Sequence, residues 1–145
     1  MKKSLLALSL AAFAPLALAA ELFCDSGHPH PIDVQFELDM DASGGVTLKM
    51  RNAQGRAYER WDTELNMEYR ELMRTLKPEE QAALKKAQRA WLAFREAEAD
   101  FWWTESLSGG GTLQPVIVSD QSLSLLKARV CQLRRYKDMA VHGLS

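Results

Sequence analysis

The chain has 145 residues, of which 26% are charged, and its formal net charge at pH 7 is −1. This length fits one domain and is short for two ordinary ones. A nearly neutral chain without a basic stripe is also a poor candidate for a nucleic-acid-binding protein.

Residues 1–19 have the layout of a secretory signal peptide: a basic start at Lys2 and Lys3, an apolar run, and a small-residue ending before Ala20. A retained membrane anchor is the weaker alternative, because Pro15 interrupts a short apolar run. We therefore predict a soluble periplasmic or secreted protein that has no membrane contact after cleavage. Loss of the two lysines would change the formal charge from −1 to −3.

Two cysteines, Cys24 and Cys131, lie near opposite ends of the predicted mature chain. In an oxidising compartment an even pair favours a disulfide over two free thiols. Such a bridge would close a loop of about 107 residues. The chain-entropy model predicts that this closure stabilises the folded state by about 4–5 kcal/mol.

Residues 20–33 contain prolines and a glycine without a hydrophobic period, and they are predicted to form an extended leader. His28 and His30 could both face a metal ion there, but no further ligand cluster follows, so we predict no metal site.

The next two segments alternate between apolar and polar residues. These are "VQFELDM" and "VTLKMR", and "DASGG" separates them. Alternation around a glycine turn is typical of a β-hairpin, which we predict over residues 34–51. Because an isolated hairpin is marginally stable, its apolar side would have to pack on the rest of the protein.

From Tyr58 onward the apolar residues follow the three-and-four spacing of amphipathic helices. The first predicted helix ends before Pro78, the second runs from Pro78 to about Glu105, and the third begins at Ser119 and Asp120. The predicted fold is mainly α, with a three-helix antiparallel body and an N-terminal β-hairpin in a single domain of residues 34–145. The predicted inward positions are Leu84, Ala87, Trp91, Phe94, Glu98 and Phe101 on the second helix, and Leu123, Leu126, Val130, Leu133 and Ala140 on the third.

The second helix carries a polar stripe formed by Gln88, Trp91, Arg95 and Glu98. Arg95 and Glu98 are three residues apart and can pair, with Asp62 of the first helix as a further partner. We favour a structural Arg–Glu network, with a binding face as the alternative.

Paired catalytic carboxylates are disfavoured in this stripe, because Glu96 and Glu98 point about 200° apart on a helix. The chain also lacks the short motifs of common hydrolases and phosphate-binding loops. We therefore predict no catalytic residues, no enzymatic activity and no cofactor.

A glycine-rich segment, "SGGGTLQP" at residues 108–115, interrupts the helices. It follows two adjacent tryptophans that point about 100° apart, so both cannot face the same core stripe. We predict a binding loop, although a simple flexible connector is the alternative. The candidate binding residues are Trp102, Trp103, Gly109, Gly110, Gly111 and Thr112.

Three segments, "YERWDTELNMEYRELM", "LKKAQRAWLAFREAEA" and "GGGTLQP", together resemble the LprI-like lysozyme-inhibitor family over about residues 57–134. The chain differs from that family in having Ala99 where a cysteine is usual and in its predicted hairpin, so its disulfide scheme differs. The matching positions include Tyr58, Asp62, Leu65, Asn66, Tyr69, Gln88, Arg89, Trp91, Phe94, Arg95, Glu98, Gly110, Gly111, Thr112, Pro115 and Arg129.

The resemblance implies a secreted helical protein that acts on lysozyme-type muramidases, and it adds Arg129 to the structural network. The leading hypothesis is therefore an exported binding protein whose protein partner is a cell-wall hydrolase. The alternatives are an envelope accessory protein, either metal-binding or an assembly factor, and a wall-associated enzyme.

Overall fold

The protein is described by a computed structural model that covers residue 24 and residues 27–143. The predicted signal peptide and the first part of the predicted leader, apart from Cys24, lie outside these residues. The described part contains the helices α1 Pro31–Asp41, α2 Thr47–Thr75, α3 Pro78–Trp102, α4 Glu105–Ser108 and α5 Gln114–His142.

The prediction of a β-hairpin over residues 34–51 is wrong, because these residues form α1, a turn and the start of α2, with no strand in the described part of the chain. Helix α1 has Pro31 in its first turn, where a missing amide hydrogen is tolerated. The Nδ1 atom of His30 accepts a hydrogen bond from the Ile32 amide at 3.2 Å and caps the helix.

The alternating pattern did not exclude a helix, because apolar residues at every second position also include residues four apart, which share one face of a helix. On α1, Phe36 and Met40 are half-buried, whereas Val34 and Leu38 of the same alternating set are exposed. A seven-residue segment is too short for periodicity alone to separate a strand from a helix.

Helix α2 begins at Thr47, well before the predicted start at Tyr58. Its early turns continue the helical spacing through Ala53 and Ala57, both buried. The predicted turn itself is present, since Gly44 and Gly45 have φ values of 58° and 75° between the two helices.

The core lies between α2, α3 and α5. Cross-helix contacts show that α2 and α5 run in the same direction, because Gln54 contacts Val116 and Glu64 contacts Arg134. Helix α3 runs opposite to both, because Gln88 contacts Arg129 whereas the later Trp102 lines a groove with the earlier Gln121. This is the predicted three-helix body, with α1 packed on α2. The central core residues are Ala57, Trp61, Leu65, Leu72, Leu84, Leu123, Leu126, Val130 and Leu133.

A buried carboxylate fixes the register of α2 against α5. Glu68 is 3% exposed and lies 2.7 Å from Arg134 Nε and 2.6 Å from Lys137 Nζ. Arg134 also contacts Glu64, and Lys137 contacts Glu71. Because a buried carboxylate is costly without partners, sliding of α5 along α2 would be strongly unfavourable.

Helix α1 is fastened to both α2 and α5. The carboxylate of buried Asp33 accepts a hydrogen bond from Trp61 Nε1 at 3.1 Å and lies 2.9 Å from Lys127 Nζ. The predicted disulfide between Cys24 and Cys131 is present and ties the segment before α1 to α5.

His30 makes the attachment of α1 sensitive to pH. Its ring lies 4.6 Å from that of Trp61, and burial lowers its pKa, although the nearby Glu64 opposes this effect. The folded protein therefore prefers neutral imidazole, and the unfolded chain takes up the proton first as the pH falls. The resulting stability is fully present above about pH 6.5, the unfolded pKa, and is lost as the pH falls toward the folded pKa.

We expect the melting temperature to fall less between about pH 7.5 and about pH 5 in His30→Asn than in the wild type, because asparagine can still cap α1 but does not titrate. Thermal melts followed by circular dichroism measure this. The exposed His28 provides the control, His28→Asn, which should keep the wild-type pH dependence. Equal pH dependence of wild type and His30→Asn would contradict the assignment.

Candidate functional site

The glycine segment after α4 has a backbone that other residues adopt only with strain. Gly109, Gly110 and Gly111 have φ values of 74°, 65° and 71°. Glycine takes such values without steric cost because it has no Cβ atom. Three such residues in succession form the connection from α4 to α5 within a short span.

The base of this loop is held by side-chain hydrogen bonds. The amide of Gln114 donates to the carbonyl oxygen of Trp103 at 2.7 Å and to Ser108 Oγ at 2.9 Å. Ser108 is buried and donates to the carbonyl oxygen of Thr104 at 3.1 Å. The loop therefore has fixed ends, which lowers the conformational entropy that it would lose on binding.

Large apolar side chains surround the loop in exposed positions. Trp103 is 48% exposed, Leu107 39% and Leu113 52%. The predicted binding residues Gly109, Gly111 and Thr112 are exposed as well, whereas Trp102 is half-buried against the α3–α5 groove. We call Trp103, Leu107, Leu113 and residues 109–112 the loop tip.

The loop tip has an acidic border. Glu105 belongs to α4, and its side chain lies beside Gly110, 3.4 Å from where a Cβ atom of that residue would be. Asp100, three residues before Trp103 on the chain, is exposed. An apolar patch with acidic neighbours suits a basic protein partner.

The predicted polar stripe of α3 forms a connected network with α2 and α5. Arg129 of α5 is 6% exposed, and its Nε and Nη2 atoms donate to Gln88 Oε1 at 3.1 and 2.9 Å. The guanidinium groups of Arg95 and Arg129 lie over the ring of Trp91, at 5.2 and 5.6 Å from the ring centre. Burial lowers the pKa of Arg129. These contacts attach α3 to α5.

The acidic members of the predicted network are placed differently from each other. Asp62 Oδ1 lies 3.8 Å from Arg95 Nη1, so α2 joins the network through this pair. Glu98 lines the α3–α5 groove and forms no ion pair within residues 27–143. The structure thus brings together Asp62, Gln88, Arg95 and Arg129 around Trp91 and leaves Glu98 at the edge.

A second surface is the open groove between α2 and α3, which has a volume of about 560 Å³. Lys85 and Arg89 give one wall a positive charge. The lining residues are Asp62, Leu65, Asn66, Tyr69, Lys85, Gln88, Arg89 and Leu92.

The described residues offer neither a metal site nor a membrane-spanning helix. They contain no group of three or more His, Cys, Asp or Glu side chains arranged to hold a metal ion. None of their helices combines the length and the apolar character needed to cross a bilayer.

A protein-family model described as "Lysozyme inhibitor LprI" matches residues 40–133. The chain belongs to the LprI family. The LprI match includes α2, α3, the loop tip and α5 as far as Leu133, and it leaves out Cys24 and most of α1. Comparisons with curated proteins and with solved structures gave no significant match.

Sequence reasoning did not identify three residues of this LprI chain that shape the loop tip: Leu107, Leu113 and Gln114. Leucines beside a glycine loop give no periodic signal, and the hydrogen bonds of Gln114 depend on how α4 folds back. The short helix α4 was itself not predicted, because four residues are too few to show a helical period.

Proposed function

We propose that the protein is exported and inhibits a lysozyme-type cell-wall hydrolase by inserting the loop tip into the substrate cleft of that enzyme. Membership of the LprI family supports the class of partner. The observation that carries the proposed binding site is the glycine loop with a fixed base and exposed Trp103, Leu107 and Leu113 around it.

The shape of the loop tip suits a glycan-binding cleft better than a helix face does. A narrow turn can enter a cleft built for a polysaccharide chain, and backbone amides of glycine can approach its walls closely. An exposed tryptophan beside the turn is the type of residue that often dominates binding energy at protein interfaces.

Charge supports the same partner. Most lysozymes are basic, and Asp100 and Glu105 near the loop tip would attract a positive surface. Because these acids are exposed, added salt should slow association more than it speeds dissociation.

We expect Trp103→Ala to weaken muramidase inhibition by at least about tenfold, since it removes the largest exposed anchor of the loop tip. Inhibition of lysis of a cell-wall suspension by the purified protein measures this effect. Leu48→Ala is the matched control, because Leu48 is 66% exposed and lies at the start of α2. It should inhibit like the wild type.

A second variant tests the backbone of the loop. Replacing Gly110 and Gly111 with valine should abolish inhibition while the helix content stays unchanged, because β-branched residues are strained at positive φ. Unchanged inhibition in both loop variants, with loss in Arg89→Glu, would place the contact in the α2–α3 groove instead. Failure of the wild type to inhibit any muramidase would overturn the proposed function.

A further inference from the structure

Helix α3 has a second apolar stripe that the fold leaves uncovered. Phe94 and Phe101 are 49% and 57% exposed, although sequence periodicity predicted both to face the core. Ala87, predicted inward with them, is exposed too. The exposed stripe consists of Ala83, Ala87, Ala90, Phe94, Ala97 and Phe101.

The inward stripe of α3 is shifted by one residue along the sequence from the exposed stripe. Leu84, Trp91 and Trp102 are examples of the inward stripe, each directly following a member of the exposed stripe, so the two stripes lie about 100° apart on the helix. The exposed stripe keeps a strict four-and-three spacing over about 27 Å of helix. This spacing is that of a coiled-coil seam, and its alanines allow another helix to approach closely.

Beside the exposed stripe, the positive charges lie in the first half of α3 and the negative charges lie in the second half. Lys86 and Arg89 lie in the first half and Glu96 and Asp100 in the second, all exposed on the same edge of the stripe. None of the four forms an ion pair within the part of the chain that the structure describes.

We propose that this exposed stripe is a self-association surface on which α3 of a second copy of the chain packs antiparallel. The two-fold arrangement that places Ala90 beside Phe94 of the second copy also places Ala83 beside Phe101. The same arrangement brings Lys86 next to Asp100 of the second copy. Arg89 and Glu96 of the second copy lie at the same level along the helices but further from the seam, where they add only a longer-range attraction. In a parallel arrangement the edge that carries Lys86 and Asp100 would face the opposite edge of the stripe on the second copy. The residues there include Leu84 and Trp91, which pack into the fold of their own chain, so the two charges would find no partner. The charges therefore select the antiparallel arrangement.

The surface is small, which sets the expected affinity. The area that one helix pair of this length buries is at the low end for specific interfaces. We therefore expect a dissociation constant on the order of 10–100 µM. The stripe is on a different side of α3 from the inward network, and dimer formation therefore leaves that network in place. The inference does not depend on the proposed inhibition of a lysozyme.

Sedimentation velocity of the oxidised protein from about 5 to about 500 µM tests the proposal. We expect the average mass to rise from that of one chain toward that of two. Phe94→Glu combined with Phe101→Glu should remain monomeric with an unchanged helix content, because both side chains are exposed. Leu48→Glu, which introduces the same charge at an exposed leucine outside α3, should associate like the wild type.

Charge variants test the antiparallel register. Lys86→Glu and Asp100→Lys should each weaken association by about tenfold, because each turns a symmetric attraction into repulsion. Combining the two substitutions restores opposite charges and should restore the wild-type affinity to within about threefold. A monomer at every concentration, a dimer that survives the double glutamate substitution, or a double charge variant weaker than either single one would overturn the proposal.

Discussion

Replacing Trp61 with alanine is expected to destabilise the protein by about 3–5 kcal/mol, the range found for truncating a buried aromatic side chain. Trp61 is 0% exposed and lies at the centre of the α1–α2–α5 contact. Its ring packs against His30 and beneath Lys127, whose Nζ atom is 5.6 Å from the ring centre. The substitution therefore opens a cavity where three helices meet.

A polar effect adds to the cavity. Asp33 is buried and loses the indole donor in Trp61→Ala, so Lys127 must neutralise it alone. Trp61→Phe separates the two effects, because phenylalanine fills most of the space but cannot donate. We expect it to cost about 1–3 kcal/mol, the penalty for a buried acceptor that loses its partner.

Chemical denaturation followed by far-ultraviolet circular dichroism measures both variants. Trp103→Ala is the matched control, since it removes the same side chain from an exposed position and should change the free energy of unfolding by less than about 0.5 kcal/mol. If Trp61→Ala and Trp103→Ala unfolded at the same denaturant concentration, the described core would be incorrect.

Removing the disulfide is expected to have an effect of similar size. The bridge between Cys24 and Cys131 spans 107 positions, and opening it in a Cys24→Ser and Cys131→Ser double variant should cost about 4–5 kcal/mol through the entropy of the unfolded chain. Such a loss approaches the total stability of many small domains, about 5–15 kcal/mol.

The measurement compares denaturant midpoints of wild type and double variant with and without a reducing agent. Reduction should bring the wild type to the midpoint of the variant and leave the variant unchanged. A wild-type midpoint that is insensitive to reduction would show that the bridge does not stabilise the fold. Hydrogen exchange in the reduced protein should increase first in α1, which the bridge holds near α5.

Some parts of the fold could be predicted from the sequence because they follow from local or compositional rules. The boundary at Pro78 follows from the missing amide hydrogen of proline, and the buried Leu126, Val130 and Leu133 follow from strong helical spacing. The disulfide followed from the number of cysteines and the predicted compartment.

Other parts could not be predicted, because spacing shows that residues share a face but not which way that face points. On α3, one stripe with helical spacing contains Trp91 and another contains Phe94, and either could face the core. Only the packing of α2 and α5 decides that Trp91 turns inward. The contact of Asp33 with Trp61 and Lys127 depends on α1 being a helix, so the hairpin prediction also concealed this buried charge.

The candidate site was predicted in outline only. Consecutive glycines indicated a turn after α3, and adjacent tryptophans indicated that one would be exposed. The fixed base of the loop could not be foreseen, since it depends on Gln114 reaching back to Trp103 across α4. Arg129 and Gln88 are 41 positions apart, so only the family resemblance suggested that they belong to one network.

The pairing of α2 with α5 has a consequence for the order of events during synthesis. Glu68 precedes its partner Lys137 by 69 positions, and most of the core of α2 is covered by α5. Since a nascent chain emerges from its N-terminus, α2 and α3 have no partner for that face until α5 has been made. We therefore expect this core to form only after α5 has been synthesised. If it is exported as proposed, this delay keeps it in a state that can still be threaded through a membrane pore.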